Sequence, residues 1–208
     1  MNSKESTAVR QQQIIAAVLK IIASQGLTHL TTAAIAREVG LTEGAIFKHF
    51  ATKEEILQAA VHSVGSNLSD TAAGVARSNL PPEKKLRSIL NSHLALLETN
   101  PGMPRIIFSD ELYTGYPGLK ENIKKLVNNY TSWIETIFNE GMDKGIFRGE
   151  FDPKSLAYIF IGLIQGTIVR WRLNEEGLTL KEQVNNIYRA IMLLAGYQRN
   201  STNNNLKL

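Results

Sequence analysis

Apolar residues recur at steps of three and four along most of the chain, the spacing of one face of an α-helix. Strictly alternating apolar and polar runs bounded by turn residues, which are typical of strands, are absent from the sequence. The segment from Thr7 to Gln25 shows the helical pattern clearly, and Gly26 can supply the left-handed residue that commonly ends a helix. The sequence therefore predicts an all-α protein.

Proline and glycine mark the ends of the later helices. A helix from Glu54 to about Arg77 precedes the break Ser-Asn-Leu-Pro-Pro at 78–82. Five further helices are predicted: Pro82 to Thr99, Gly102 to Tyr113, Pro117 to Gly141, Pro153 to Asn174 and Thr179 to Arg199. Together with the first helix and the two short ones described next, the chain is expected to contain about nine helices.

Two short helices joined by a tight corner follow the first helix. Thr31 or Thr32 can cap one and Thr42 the other, while Gly40 allows the chain to turn with a positive φ. The expected buried residues are Ile35, Ala36 and Val39, then Leu41 over the corner, then Ile46 and Phe50. A small residue, a corner glycine and an apolar anchor in this order indicate a helix-turn-helix, whose second helix lies in the DNA major groove.

The outward-facing residues of this segment are the candidate DNA contacts. Small residues at 44 and 45 would let the second helix approach base edges, and Glu43 could accept a hydrogen bond from cytosine. Lys48, His49 and Lys53 are placed to meet phosphates. The predicted DNA-binding set is Thr31, Thr32, Ala33, Thr42, Glu43, Gly44, Ala45, Phe47, Lys48, His49 and Lys53.

Structural roles that involve no DNA contact are alternatives for these residues. Glu43 can equally complement the dipole of a first helical turn, and His49 can cap or pack locally. The whole helix-turn-helix could serve as a structural corner in an all-α enzyme or small-molecule carrier. A non-specific architectural DNA protein is a third alternative, distinguished by equal affinity for all duplexes.

The charge distribution favours DNA binding, and the composition excludes chemistry that depends on cysteine. The net charge is +4, and six basic against three acidic residues place +3 of it in residues 1–53. With 0 Cys there is no disulfide, thiolate metal site or cysteine nucleophile. His29, His49, His62 and His93 form no His-Glu-x-x-His pattern, and the sequence contains neither a phosphate-binding Gly-x-x-x-x-Gly-Lys-Ser/Thr run nor a Gly-x-Ser-x-Gly elbow. No catalytic residue, metal or cofactor is therefore expected.

The termini and the apolar stretches bear on localisation. The N-terminus lacks the basic start and apolar core of a signal peptide. The longest apolar stretch, from Leu156 to Ile164, is about half of the ~20 residues that a membrane span requires. The sequence predicts a soluble, cytoplasmic protein that has no membrane partner.

Residues 30–56 resemble the DNA-binding domain of TetR/AcrR-type regulators. The resemblance rests on Thr-Thr at 31–32, Ala-Arg-Glu-Val-Gly-Leu-Thr at 36–42 and Gly-Ala-Ile-Phe-Lys-His-Phe-Ala-Thr-Lys-Glu-Glu at 44–55. The family's tyrosine that commonly donates its hydroxyl to a phosphate is Phe47 here, so a methyl or stacking contact would replace that hydrogen bond. The resemblance implies a ligand-responsive regulator, here expected to be a repressor released from a palindromic operator.

The implied domain organisation has four parts. Residues 1–53 form the DNA-binding domain, a shared helix at 54–77 links it to a helical ligand-binding and dimerisation domain at 78–199, and residues 200–208 form a polar tail.

The last two predicted helices suggest a homodimer. The stretch from Leu156 to Val169 is apolar around nearly its whole circumference, so it must be covered on more than one side. Gly162 and Gly166 permit a close helix approach, although both helices could instead be internal core. The predicted interface residues are Ile159, Gly162, Gly166, Val169, Val184, Ile187, Ile191 and Leu194.

A small, mostly apolar effector is expected to bind in the second domain. Its pocket would be apolar with few polar anchors, and plain core packing is the alternative for each residue. The candidate lining residues are His93, Leu97, Phe108, Tyr113, Tyr130, Trp133, Ile137 and Gln165.

Overall fold

The computed structural model describes residues 6–173 and 178–197. Within these residues the chain forms ten α-helices and one short 3-10 turn, which confirms the all-α prediction. The helices are α1 Thr7–Gln25, α2 Thr32–Val39, α3 Glu43–Phe47, α4 Lys53–Ala76, α5 Pro82–Thr99, α6 Gly102–Ile107, α7 Asp110–Gly115, α8 Pro117–Asp143, α9 Pro153–Arg172 and α10 Leu180–Leu194.

The predicted single helix from Gly102 to Tyr113 is in fact two helices, α6 and α7. Ser109 lies between them in an extended conformation, with φ −91° and ψ 140°. Its hydroxyl donates to the carbonyl of Ile106 and accepts from the amide of Leu112. One serine therefore ends the first helix and caps the second, because its side chain competes for the backbone groups that a continuous helix would use.

The last helix ends earlier than predicted. Its final residue is Leu194, and Gly196 then adopts a φ of +63° that turns the chain out of the helix. The predicted helix ends at Asn174 and Arg199 and the polar tail at 200–208 lie outside the described residues.

The chain packs into two compact units, each with its own core. The first contains the described residues up to Asp70 together with Ala95–Asn129. In it, α6 packs so closely on α1 that a Cβ added to Gly102 would come within 2.3 Å of the carbonyl oxygen of Leu19. Fully buried residues of this core include Ile14, Val18, Ile22, Leu30, Ile35, Ile46, Ile56 and Leu57.

The second unit contains Thr71–Leu94 together with the described residues from Tyr130 onward. Here α9 packs against α10, and the amides of Arg148 and Gly149 both donate to the carbonyl of Ala195, at 3.0 and 2.9 Å. Phe138 and Phe160 are among the largest fully buried side chains of the chain. The domain boundaries predicted from the sequence stay a prediction.

None of the helices in the described part of the chain combines the length and the apolarity that crossing a membrane requires.

Candidate nucleic-acid interface

The corner between α2 and α3 is a Schellman turn centred on Gly40. This glycine has a φ of +68°, which residues with a Cβ rarely adopt. The amide of Leu41 donates to the carbonyl of Ala36 at 2.8 Å, and the amide of Gly40 donates to that of Arg37 at 3.4 Å. The predicted glycine hinge is therefore confirmed, and it fixes the direction in which α3 leaves the corner.

Threonine hydroxyls cap both helices of the motif, as predicted. Thr31 accepts from the amide of Ala34 at 3.0 Å, and Thr42 accepts from the amide of Ala45 at 3.2 Å. Each cap uses the hydroxyl as an acceptor, so the hydroxyl proton is still free to be donated to another acceptor. Thr42 can therefore cap α3 and offer a donor to a phosphate oxygen at the same time.

The outer face of α3 is open. Ile46 is fully buried beneath it and Phe50 is 8% exposed, whereas 49% of Phe47 is accessible. A Cβ added to Gly44 would meet no atom within 4 Å. Among the predicted contacts, Thr31, Ala33, Thr42, Glu43, Gly44, Phe47 and Lys48 are exposed, while Thr32, Ala45, His49 and Lys53 are half-buried.

Two polar links tie α1 to the helix-turn-helix. Lys20 forms an ion pair with Glu38 of α2, and the side chain of Gln11 donates to the carbonyl of His49 at 3.1 Å. Among the described residues, the buried Nδ1 of His49 has no hydrogen-bond partner. Sequence reasoning missed Gln11, because a contact between residues 38 positions apart leaves no local pattern.

The N-terminus of α4 is capped by Thr52 and by the carboxylate of Glu55. The amide of Glu55 donates to the hydroxyl of Thr52 at 3.1 Å, and the Glu55 carboxylate accepts from the amide of Ala51 at 2.7 Å. This reciprocal arrangement is a variant of the capping box, and the Thr-x-x-Glu spacing at 52–55 would have predicted it.

The same N-terminus contacts the beginning of α8. The ammonium of Lys53 lies 5.9 Å from the ring centroid of Tyr116, and Oε1 of Glu54 accepts from the amide of Leu119 at 3.1 Å. Neither Tyr116 nor Glu54 was among the predicted site residues, since the partners are more than 60 positions apart in sequence.

Among the candidate effector contacts, His93 and Tyr130 meet in the second unit. Nδ1 of His93 lies 2.8 Å from the Tyr130 hydroxyl, and the two rings pack edge to face with their centroids 5.2 Å apart. Burial lowers the pKa of His93 to about 4 and raises the pKa of Tyr130. Both side chains are therefore neutral at neutral pH and share one hydrogen bond.

The remaining effector candidates are dispersed. In the second unit, Ile137 is buried, Gln165 is exposed, and Trp133 is half-buried with the guanidinium of Arg77 4.8 Å from its ring centroid. In the first unit, Leu97 is buried and Phe108 is 39% exposed. The side chain of Tyr113 lies outside the described part of the chain. Their role in binding an effector stays a prediction.

The predicted dimer residues divide into two groups. On α9, Gly162, Gly166 and Val169 are exposed and Ile159 is half-buried. On α10, Val184, Ile187 and Ile191 are buried and Leu194 is half-buried. Three large apolar residues outside the predicted set are also exposed. They are Tyr158 on α9 at 55%, Leu173 directly after α9 at 71% and Leu193 on α10 at 82%.

The Gly40 turn and the exposed α3 define a helix-turn-helix DNA-binding protein, and comparison with known proteins gives the family. The sequence model of the protein family described as bacterial regulatory proteins, tetR family, matches residues 14–60. The model of the YsiA-like C-terminal region matches residues 64–195, more than half of the chain. The chain belongs to the TetR family of DNA-binding transcriptional regulators, which are not enzymes, and within that family it has a YsiA-like C-terminal region.

Similar sequences cover most of the chain at low identity. The fatty acid metabolism regulator protein of Bacillus subtilis is 22% identical over 178 residues, which are 86% of this chain and 91% of that protein. The nucleoid occlusion factor SlmA of Vibrio vulnificus is 25% identical over 170 residues, which are 81% of this chain and 86% of that protein.

Solved structures share the fold. The transcriptional regulator FadR from Bacillus subtilis, crystallised in complex with stearoyl-CoA, superposes with a TM-score of 0.75 at 22% identity, covering 90% of this chain and 99% of FadR. The fatty acid degradation regulator FadR from Bacillus halodurans gives a TM-score of 0.79 at 20% identity, covering 95% and 100% of the two chains. At these identities the likeness concerns the fold.

Proposed function

We propose that this regulator is a homodimeric repressor that binds a palindromic operator and is released from it by a small molecule with a long apolar part. The observation that carries the proposal is the open outer face of α3, presented by the Gly40 turn over the buried anchor Ile46. An exposed short helix with small residues at its N-terminal end fits the major groove.

Contacts to bases and to phosphates would fall to different residues. Base edges would be read by Glu43, Ala45 and Phe47, with Glu43 accepting from cytosine and the two apolar side chains contacting thymine methyl groups; the exposure of Glu43 and Phe47 supports this assignment. Thr42, Lys48, His49 and Lys53 would contact the sugar-phosphate backbone, which gives salt-dependent affinity without sequence preference.

A homodimer would explain how a recognition helix as short as α3 can distinguish one DNA sequence from others. One helix reads few base pairs, whereas paired helices about 34 Å apart read two half-sites, and a two-fold dimer requires a palindrome. The exposed surface at Tyr158, Gly162, Gly166 and Val169 supports α9 as part of the interface. The buried positions of Val184, Ile187 and Ile191 favour a role for these three in the protomer's own core.

For the effector we infer a long-chain acyl-CoA thioester. The YsiA-like match over residues 64–195 and the stearoyl-CoA complex of the Bacillus subtilis FadR support this class. Such a ligand releases the operator only as far as it prefers the protein conformation that binds DNA poorly. The acyl chain has the apolar character that the sequence predicts for the ligand, whereas the CoA part is polar and charged and departs from that prediction.

The DNA-binding proposal is tested by selecting duplexes from a random pool with the purified protein. We expect recovery of a single palindrome, bound at least ~10³-fold more tightly than a scrambled duplex of the same composition. Equal affinity for both duplexes would instead assign the chain to the non-specific architectural proteins. The stoichiometry of the complex, measured by analytical ultracentrifugation, should be two protomers per duplex.

The effector proposal is tested by titrating a complex of the protein and the selected duplex with stearoyl-CoA, stearate and free CoA, following the fluorescence anisotropy of the DNA. Stearoyl-CoA below its micelle concentration should release the duplex, while CoA and stearate should act only at much higher concentration. If no acyl-CoA of any chain length changes the DNA affinity, this ligand class is wrong, whereas the operator assignment stands.

A further inference from the structure

The N-terminus of α4 carries one cation and two carboxylates in succession, Lys53, Glu54 and Glu55. A phosphate approaching this helix end would be attracted by the lysine and the helix dipole, and repelled by the two carboxylates. The structure shows where each of these charges is directed, and the three side chains are held by different partners.

Both carboxylates accept hydrogen bonds from backbone amides. Glu55 accepts from Ala51 at 2.7 Å within the α4 cap. Glu54 accepts from Leu119 at 3.1 Å, so its charge faces the first turn of α8 and the positive end of that helix's dipole. Gln58 donates to the same oxygen of Glu54 at 3.3 Å.

The beginning of α8 fits closely around Glu54. A Cβ added to Gly118 would lie 2.7 Å from Oε1 of Glu54 and 3.0 Å from the side-chain nitrogen of Gln58. Glycine at 118 therefore leaves room for the carboxylate to reach the amide of Leu119. Any larger residue would push that carboxylate from its place.

Tyr116 completes the arrangement on the other side. Its ring centroid lies 5.9 Å from the ammonium of Lys53, within the ~6 Å range of a cation–π attraction. The amide of Lys120 donates to the Tyr116 carbonyl at 3.0 Å, so the tyrosine is fixed as the cap of α8. Such an attraction favours lysine rotamers that keep the ammonium near the ring.

We propose that residues 116–119 at the start of α8 are positioning residues for the operator phosphate bound by Lys53. Tyr116 holds the ammonium of Lys53 in place, and the amide of Leu119 draws the Glu54 carboxylate away from the phosphate. This inference rests on the proposed phosphate contact of Lys53, and it places part of the DNA-binding apparatus outside the helix-turn-helix.

The test is a double-mutant cycle between Lys53→Ala and Tyr116→Leu, with affinity for the selected duplex and for a mixed-sequence duplex measured across salt concentrations. Lys53→Ala should lower the salt slope by about 1 per protomer. Tyr116→Leu should weaken binding to both duplexes by about threefold and lower the slope by less than Lys53→Ala does. In the Lys53→Ala background, Tyr116→Leu should have no further effect.

Three companion variants separate positioning from folding. Tyr116→Phe keeps the ring and should retain wild-type affinity and slope. Gly118→Ala should weaken binding with Tyr116 intact, because it displaces the Glu54 carboxylate. Phe151→Ala removes a 43% exposed aromatic residue of the second unit and should change nothing. Circular dichroism and thermal unfolding of each variant verify the fold.

The outcomes distinguish the phosphate contact of Lys53 from the positioning role of residues 116–119. If Lys53→Ala leaves the salt slope unchanged, the proposed phosphate contact is wrong. If Lys53→Ala lowers the slope but Tyr116→Leu and Gly118→Ala both bind like the wild type, or if Tyr116→Leu weakens binding equally in the Lys53→Ala background, the positioning role is overturned and the phosphate contact stands.

Discussion

Nδ1 of His93 and the hydroxyl of Tyr130 lie 2.8 Å apart inside the second unit, each the other's hydrogen-bond partner in a buried setting. Two polar groups in an apolar core are stable only when they satisfy each other. Their neutrality at neutral pH follows from burial, which lowers the pKa of His93 to about 4 and raises that of Tyr130.

The first prediction concerns stability and pH. Because the pKa of His93 is about 4 in the folded chain against 6.5 as its ordinary value, the unfolded chain binds an additional proton between these values. The contribution of His93 to stability is present above pH 6.5 and is lost as the pH falls toward 4, by about 3 kcal/mol in total.

Urea unfolding of the wild type and of His93→Gln at a series of pH values checks this. The glutamine can still hydrogen-bond to Tyr130 but does not titrate, so the stability of the variant should fall less between pH 6.5 and 4. His62→Gln, which removes an exposed histidine, is the control. Parallel profiles for wild type and His93→Gln would contradict the expectation.

A second prediction concerns the ion pair of Lys85 and Glu140, whose charged atoms are 2.7 Å apart with 3% and 24% of the side chains exposed. Lys85 also donates to the carbonyl of Ala76 at 2.8 Å. Glu140→Ala would leave a buried ammonium without its carboxylate and should cost about 3 kcal/mol of unfolding free energy. Lys85→Met should cost less, because the partly exposed Glu140 keeps its hydrogen bond from Lys144.

Chemical denaturation of both variants tests this order, and Lys144→Ala, which removes the more exposed partner, should cost well under 1 kcal/mol. Equal losses for Glu140→Ala and Lys85→Met would mean that burial of the lysine does not dominate.

The same carboxylate gives a third prediction. Partial burial would raise the pKa of Glu140, but the hydrogen bonds and charges of Lys144 and Lys85 outweigh it and hold the pKa below its ordinary 4.5. Its stabilising contribution is therefore present above pH 4.5 and lost as the pH falls through the lowered value. Denaturation curves of wild type and Glu140→Gln should converge in this acid range, and a constant difference would refute the linkage.

A fourth prediction separates two glycines of the helix-turn-helix. Gly40→Ala imposes a Cβ at a φ of +68° and should destabilise the chain by about 1 kcal/mol. Gly44→Ala meets no atom within 4 Å, so stability should be unchanged or slightly higher. Its methyl group would nevertheless stand between α3 and the groove, and we expect operator affinity to fall about tenfold. Thermal melts measure the stability of the two variants, and anisotropy titrations measure their affinity for the operator. If Gly44→Ala binds the operator as tightly as the wild type, the DNA does not lie against α3 at position 44.

A fifth prediction assigns base reading to Glu43. The Glu43→Ala variant should recover, in a repeated selection, duplexes with relaxed preference at one position of each half-site, a loss of about 1 to 3 kcal/mol of discrimination. The exposed Glu98→Ala provides the control. If Glu43→Ala binds the original palindrome more weakly with unchanged preference, Glu43 acts only on the helix dipole.

Local sequence signals predict much of the fold. The stripe of α1, the Gly40 turn and the caps at Thr31 and Thr42 each depend on residues within a few positions of one another, so period, propensity and turn chemistry predict them. Where a local signal was overlooked, as with Ser109 between α6 and α7, the serine was a recognisable cap and the error concerned one boundary.

The sequence by itself determined the helices, the helix-turn-helix and the residues on the outer face of α3, because these follow from backbone sterics and hydrophobic periodicity over short distances. Only the tertiary structure decided that Tyr116 and Leu119 meet Lys53 and Glu54, that Gln11 bonds to His49, and that His93 pairs with Tyr130. Those contacts depend on how separate helices pack, and packing is set by the fit of whole surfaces rather than by any pattern within one segment.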